Sequence, residues 1–118
     1  MPRELAAEVL ARVVDEGAYS HLALDGALRA SSLTGRDRGL ATELVYGTLA
    51  RLGPIDAILE RAVHGGVDRL DAPVLHALRV ATYQLVFLDR VPDHAVLDEA
   101  GEHVKGFNPR AAGLVNGV

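Results

Sequence analysis

The stretch DAPVLHALRVATYQLVFL, residues 71–88, is the most apolar part of the chain and decides the fold class. Asp71 is a favourable N-cap, and Pro73 suits the first turn of a helix. Apolar residues then follow at helical spacing on one broad face and also occupy the other faces: Val74, Leu75, Leu78, Val80, Ala81, Leu85, Val86, Phe87 and Leu88. Because a helix that is apolar nearly all round must be buried, we predict a central helix over 71–88.

A second central helix is predicted over residues 34–52. Thr34 is an N-cap candidate three residues before Asp37, an imperfect capping box, and most sides of the segment are apolar. Gly47 lies in its middle, where glycine costs about 1 kcal/mol relative to alanine. Either another backbone approaches closely at Gly47 or the glycine is incidental, and of the two we favour close packing.

Glycine and proline divide the rest of the chain into short helices, with no low-complexity linker and no internal repeat. Gly53–Pro54 is predicted to end one helix and start the next, which the Gly65–Gly66 pair ends in turn. The remaining predicted helices are an amphipathic surface helix at 2–16 and further helices at 20–30, 54–63, 92–105 and from 108 onward. All 118 residues are therefore predicted to form one all-α domain. The last helix has only begun its second turn at Val118, so we expect a fragment of a longer chain.

Composition excludes several classes of protein. The chain has no cysteine, which rules out disulfides, thiolate zinc sites and cysteine nucleophiles. No apolar run approaches the roughly 20 residues that span a bilayer, and Glu4 and Glu8 stand where a signal peptide would be basic, so we expect a cytoplasmic protein without a membrane partner. No metal is expected either, because no two of the five histidines have the i, i+4 spacing of helical ligands: His21, His64, His76, His94 and His103.

No catalytic residue and no cofactor site are predicted within the chain. The acidic residues are scattered, and no pair of them stands out as an acid and a base. The Gly65–Gly66 pair joins two predicted helices, whereas a nucleotide-binding glycine loop follows a strand. We therefore expect a binding domain.

The net charge of −4 means that any nucleic acid must be bound by a local patch. The one basic cluster contains Arg36 and Arg38 at the start of the 34–52 helix, where free backbone N–H groups and the helix dipole also attract phosphate. On the 71–88 helix, His76, Arg79 and Tyr83 share a face. Two interpretations of that stripe remain open. In the first, Arg79 forms an internal ion pair with a carboxylate such as Glu43 or Glu99. In the second, Arg79 and Tyr83 contact an RNA phosphate and base.

Four blocks of sequence together resemble a known family. They are DRGLATELVYGTL (37–49), IDAIL (55–59), LRVATYQLVFLDRVPDHAVLDEA (78–100) and GLVNGV (113–118). This combination resembles the N-terminal NusB-like domain of the Sun or Fmu (RsmB) family of ribosomal RNA cytosine-5 methyltransferases. The resemblance implies about seven helices in two packed subbundles that bind small-subunit ribosomal RNA. It also implies a separate catalytic domain, absent from this chain, that holds S-adenosylmethionine (SAM).

Within this resemblance we expect Arg36 and Arg38, together with Arg3 and Arg51, to contact RNA phosphates. The chain departs from the family near Arg51: the usual arginine position is Ala50 here, and the arginine follows one residue later, about 100° around the helix. Two other functions stay open. One is a stand-alone NusB-type transcription antitermination factor that binds RNA and a ribosomal protein. The other is a protein-binding helical scaffold, which the acidic balance also suits.

Overall fold

The computed structural model describes residues 1–88, and these form five α-helices and one short 3₁₀ helix with no strand among them. The all-α prediction is therefore confirmed. The elements are α1 (Pro2–Glu16), α2 (Ser20–Ala30), α3 (Gly35–Ala50), α4 (Leu52–Ala62), the 3₁₀ helix (Val67–Arg69) and α5 (Ala72–Phe87). The predicted helices at 92–105 and from 108 onward lie outside the described residues. No helix in residues 1–88 is long and apolar enough to cross a membrane.

The bounds of α1 and α2 are those that the sequence predicts. Pro2 occupies the first turn of α1, and Gly17 ends it with a left-handed φ of 74°, a conformation that glycine adopts without steric cost. At the end of α2, the Ser31 hydroxyl donates a hydrogen bond to the Leu28 carbonyl at 2.8 Å. These local signals are sufficient to fix both helices.

The junction between α3 and α4 differs from the prediction. The break is at Arg51 (φ −124°, ψ 24°), and α4 begins at Leu52 rather than at Pro54. Pro54 therefore lies within the first turn of α4, where a backbone N–H has no partner inside the helix and its loss costs nothing. The first α4 hydrogen bond runs from the Ile55 N–H to the Arg51 carbonyl at 3.0 Å.

Helix α5 is the buried element that the sequence predicts. Asp71 has the extended backbone of an N-cap, although its side chain makes no capping hydrogen bond. Ten of the eleven residues from Val74 to Gln84 are buried, and the remaining one, Leu75, is partly buried. It packs against α1, α3 and α4. The middle of the domain is therefore α5.

Helix α1 is more central than the predicted surface helix. It packs against α2, α3 and α5, and its buried residues are Pro2, Leu5, Ala6, Ala7, Val9 and Leu10. Val14, which helical spacing places on the same face as Leu10, is 40% exposed. The difference arises because three helices pack around the N-terminal half of α1. An amphipathic pattern with one apolar face predicts contact on that face alone.

Gly47 of α3 is closely packed, as predicted, but its neighbour is a side chain rather than a backbone. A Cβ atom at this position would overlap the Tyr83 ring of α5. Tyr83 is only 7% exposed, so its ring has little room to move away. The contact sets how closely α3 approaches α5.

We expect Gly47→Ala to lower the free energy of unfolding. Overpacking in a core costs about 1–3 kcal/mol, which exceeds the gain of about 1 kcal/mol in helix propensity. Gly39→Ala is the matched control, because Gly39 lies in the same helix and an added Cβ meets nothing within 4 Å. Urea denaturation should show a lower midpoint for the first variant and an equal or higher midpoint for the second. Equal midpoints for the two variants would contradict the close contact.

Candidate nucleic-acid interface

Arg36 lies at the start of α3 and is exposed. The preceding Gly35 has a φ of 50°, and Thr34 is the N-cap but makes no side-chain capping hydrogen bond. Unpartnered N–H groups and the helix dipole therefore add to the charge of Arg36. Asp37, in the same turn, offsets part of that positive potential. The side chain best placed to contact a phosphate here is that of Arg36.

Arg38 is half-buried, and its guanidinium contacts the segment before α3. Its Nη1 donates to the carbonyl of Leu28, at the end of α2, at 3.2 Å and to the carbonyl of Leu33 at 3.5 Å. The Leu28 carbonyl also accepts from the hydroxyl and the N–H of Ser31, so the guanidinium is a further donor at the end of α2 and joins it to Leu33 in the connection. Arg38 thus holds the α2–α3 connection in place, and only its remaining N–H groups could reach a phosphate.

Arg51 is exposed at the opposite end of α3. Its Cζ atom lies over the Phe87 ring of α5, 4.8 Å from the ring centroid, within the range of a cation–π interaction. Fifteen residues separate Arg36 from Arg51, which places them ~22 Å apart along the helix axis. The two exposed arginines therefore mark the two ends of α3 rather than one patch.

Arg3 lies on α1 and is half-buried. Its Nε donates to Oε1 of Gln84 on α5 at 2.9 Å. Because Gln84 is 1% exposed, this bond satisfies a buried amide oxygen and joins α1 to α5. The structure thus distributes the four predicted RNA-contacting arginines over different places.

The polar stripe of α5 forms a network with two neighbouring helices. Arg79 donates from Nε and Nη2 to the two carboxylate oxygens of Asp56 on α4, at 2.8 and 2.7 Å. Its Nη1 lies 3.4 Å from Nδ1 of His76, whose Nε2 is 3.0 Å from Oδ2 of Asp15 on α1. Since a guanidinium only donates, His76 accepts at Nδ1 and donates from Nε2. Helices α1, α4 and α5 are joined through this network.

These contacts favour the structural interpretation of the stripe. Arg79 is 8% exposed, and the carboxylate beside it belongs to Asp56, which was not among the partners expected from the sequence. Of the two suggested partners, Glu43 and Glu99, the latter lies outside the described residues. The Tyr83 ring is buried against Gly47 and stacks on Phe87 with centroids 6.2 Å apart. Neither Arg79 nor Tyr83 is presented to a ligand.

A groove of about 550 Å³ lies between the first half of α1 and the end of α2, and its border is unsuited to RNA. Glu4 and Glu8 of α1 line it, and only Arg12 opposes them among the charged side chains. Carboxylates repel phosphate, so we place the candidate interface at the ends of α3. Among residues 1–88, no group of three or more His, Asp or Glu side chains could hold a metal ion.

A side chain at the Arg51 end of α3 that the sequence did not indicate is Phe87. In the sequence it is one of the apolar residues of the 71–88 helix, whereas in the structure it is partly buried and its ring lies beside the Arg51 guanidinium. Arg51 and Phe87 are 36 residues apart in the sequence, so no helical periodicity relates them. Arg51 itself was found only through the family resemblance.

Known proteins resemble this chain over its full length. The sequence profile of the NusB family matches residues 1–118. The ribosomal RNA small subunit methyltransferase B of Thermus thermophilus is 42% identical over 117 residues, which are 99% of this chain and 28% of that protein. The probable ribosomal RNA small subunit methyltransferase B of Bacillus subtilis is 35% identical over 98% of this chain and 26% of its own length. The chain thus spans about a quarter of these relatives.

Other matches are antitermination proteins and RNA complexes. The transcription antitermination protein NusB of an Exiguobacterium species is 40% identical over 78 residues, 64% of this chain and 61% of that protein. A chain in the crystal structure of a plectonemic RNA supercoil superposes with a TM-score of 0.87 at 26% identity, covering 98% of this chain and 86% of its own. A chain in the crystal structure of the antitermination factors NusB and NusE with dsRNA gives 0.85 at 25% identity, covering 98% and 88%.

Removing the Asp56 carboxylate is expected to destabilise the domain, because it leaves the Arg79 charge buried without a partner. Breaking a buried pair costs about 3–5 kcal/mol, and we expect the lower end because the Asp56 side chain is 34% exposed. Chemical denaturation of Asp56→Ala measures the loss. Asp25→Ala, which removes an exposed carboxylate of α2, should change stability by less than about 0.5 kcal/mol. A similar loss in both variants would contradict a structural role for the pair.

Proposed function

This chain belongs to the NusB family, and from that premise we propose that it is the RNA-binding, non-catalytic domain of a SAM-dependent ribosomal RNA cytosine-5 methyltransferase. In this role it recognises small-subunit ribosomal RNA and positions it for a catalytic domain elsewhere in the protein. The observation that supports this proposal is the extent of the matches. Small-subunit ribosomal RNA methyltransferases match nearly all of this chain with about a quarter of their own length.

The charge distribution supports binding through local contacts. With a net charge of −4 the domain does not attract RNA through its overall field. Arg36 and Arg51 supply exposed positive groups ~22 Å apart, a distance equal to about six or seven nucleotides of a stacked strand at ~3.4 Å each. An RNA segment of that length would contact both ends of α3. Phosphate contacts of this kind fix the position of an RNA without reading its sequence.

SAM does not fit the residues described here. Its binding in a Rossmann-like domain uses a glycine-containing turn between a strand and a helix. In this chain the Gly65–Gly66 turn follows α4, and both glycines have positive φ, 88° and 83°, in a connection between helices. Two side chains also occupy the space beside them, those of Arg69 and Glu60. We therefore assign the cofactor, and every step of methyl transfer, to a part of the protein outside this chain.

We expect Arg36→Ala to weaken binding of single-stranded poly(U) RNA and to reduce the slope of log Kd against log salt by roughly 0.7, as the loss of one phosphate contact requires. Fluorescence anisotropy at several salt concentrations measures both quantities. Arg61→Ala removes another exposed arginine, in the last turn of α4, and should leave the slope unchanged. Arg36 is preferred to Arg38 for this test because Arg38 also holds the α2–α3 connection.

Three results would count against the proposal in different ways. No binding of RNA by the 118-residue chain at low salt would favour the protein-binding scaffold. An unchanged slope in Arg36→Ala would remove the start of α3 from the interface. An equal reduction in Arg36→Ala and Arg61→Ala would indicate a diffuse charge effect with no defined contact.

A NusB-type antitermination factor that binds RNA and a ribosomal protein is the second candidate. The observation that favours it is the match to a structure of the antitermination factors NusB and NusE with dsRNA, at a TM-score of 0.85. The intact mass of the endogenous protein separates the two functions. A methyltransferase adds a catalytic domain, on the order of 200 residues or more, to these 118, whereas an antitermination factor exceeds them by little.

A further inference from the structure

The side chain of Arg51 lies over the outer of two neighbouring aromatic rings, and the inner ring packs on a glycine of α3. We name these four residues the Arg51 column: Gly47, Tyr83, Phe87 and Arg51. The Tyr83 ring fills the space over Gly47, Phe87 stacks on Tyr83 with an interplanar angle of 24°, and the Arg51 guanidinium lies over Phe87. Tyr83 is buried, Phe87 is partly buried and Arg51 is exposed. The column therefore runs from the α3–α5 contact in the core to a cation at the surface.

The backbone of Arg51 is fixed as well as its side chain. Its N–H donates to the Thr48 carbonyl at 3.1 Å, and its own carbonyl accepts from the Ile55 N–H at 3.0 Å. One bond belongs to the end of α3 and the other to the start of α4. The guanidinium therefore projects from a hydrogen-bonded junction, and its contact with Phe87 favours one side-chain orientation, which lowers the freedom lost when a ligand binds.

The contact with Phe87 does little for stability and leaves Arg51 available. A cation–π pair at an exposed site contributes about 0.5–1 kcal/mol. The ion pairs that His76 and Arg79 form with Asp15 and Asp56 do not involve Arg51. Arg51 is exposed to solvent, and its Cζ lies 4.8 Å from the centroid of the Phe87 ring. A planar cation held in this way is suited to stacking as well as to hydrogen bonding.

We propose that Arg51, supported by Phe87, stacks on an unpaired RNA base and so makes this end of α3 specific for single-stranded or looped RNA. This inference rests on the proposed RNA-binding function. Proteins commonly read unpaired RNA by stacking its exposed bases on aromatic rings or arginine planes. In a duplex the bases are already stacked on one another, so the Arg51 column can offer a duplex only a phosphate contact. Phe87 is the positioning residue, since it touches Arg51 rather than RNA.

The test compares Arg51→Lys, Arg51→Ala and Phe87→Leu with the unaltered 118-residue chain, using single-stranded RNA that contains 2-aminopurine and a blunt RNA duplex. Lysine keeps the charge but has no plane to stack on. We expect Arg51→Lys to weaken single-strand binding about tenfold, to change duplex binding by less than about twofold, and to abolish the change in 2-aminopurine fluorescence. Phe87→Leu should produce the same pattern more weakly. Arg61→Lys is the matched control and should behave as the unaltered protein.

The outcomes separate this inference from the proposed function. If Arg51→Lys binds single-stranded RNA as tightly as the unaltered chain and gives the same fluorescence change, Arg51 makes only a phosphate contact and the stacking proposal is overturned. Equal losses for single strand and duplex in Arg51→Ala would do the same. Thermal unfolding shows whether Phe87→Leu remains folded. If that variant does not fold, Arg51→Lys still provides the test, because the substituted residue is exposed. Failure of the unaltered chain to bind either RNA would contradict the proposed function itself.

Discussion

The Arg79–Asp56 pair satisfies a charge that would otherwise prevent α5 from occupying the centre of the domain. Helix α5 is buried on most sides, so its buried guanidinium, imidazole and amide groups need partners from the surrounding helices. Asp56 of α4 provides both oxygens for Arg79, and Asp15 and Arg3 of α1 provide partners for His76 and Gln84. These bonds have specific directions, unlike apolar packing, and they fix the position of α5 relative to α1 and α4 in a way that leucine and valine contacts alone do not.

The placement of α3 follows from α5, and the candidate interface follows from α3. The absence of a side chain at Gly47 lets α3 approach the Tyr83 ring closely. As a result Phe87, one turn further along α5, lies under Arg51. At the other end of the same helix, Arg38 secures the α2–α3 connection and leaves Arg36 exposed. The acidic domain thereby presents two separate cations on one rigid helix. This arrangement fits the similarity to ribosomal RNA methyltransferases and to structures that contain RNA.

Local signals were enough to predict the helices, and distant contacts were not predictable from them. Gly17 and the Ser31 turn ended α1 and α2 where expected, and the apolar pattern of residues 71–88 identified the buried helix. The partner of Arg79 could not be read in the same way, because Asp56 is 23 residues away and any acidic residue of a neighbouring helix would satisfy the same rule. For the same reason, no sequence pattern indicated that Arg38 binds carbonyl groups or that the Phe87 ring contacts Arg51. The family resemblance selected Arg51, but only the packing of α5 shows what holds it.

The measurement that tests this account most directly is a titration of the ¹⁵N-labelled 118-residue chain with RNA, followed by NMR. Backbone amides report the contact positions without substitution of any residue. The account predicts chemical-shift changes at both ends of α3, around Arg36 and around Arg51 with Phe87, and little change along the groove bordered by Glu4 and Glu8. Changes centred on that groove, or the same small changes throughout the domain, would contradict it.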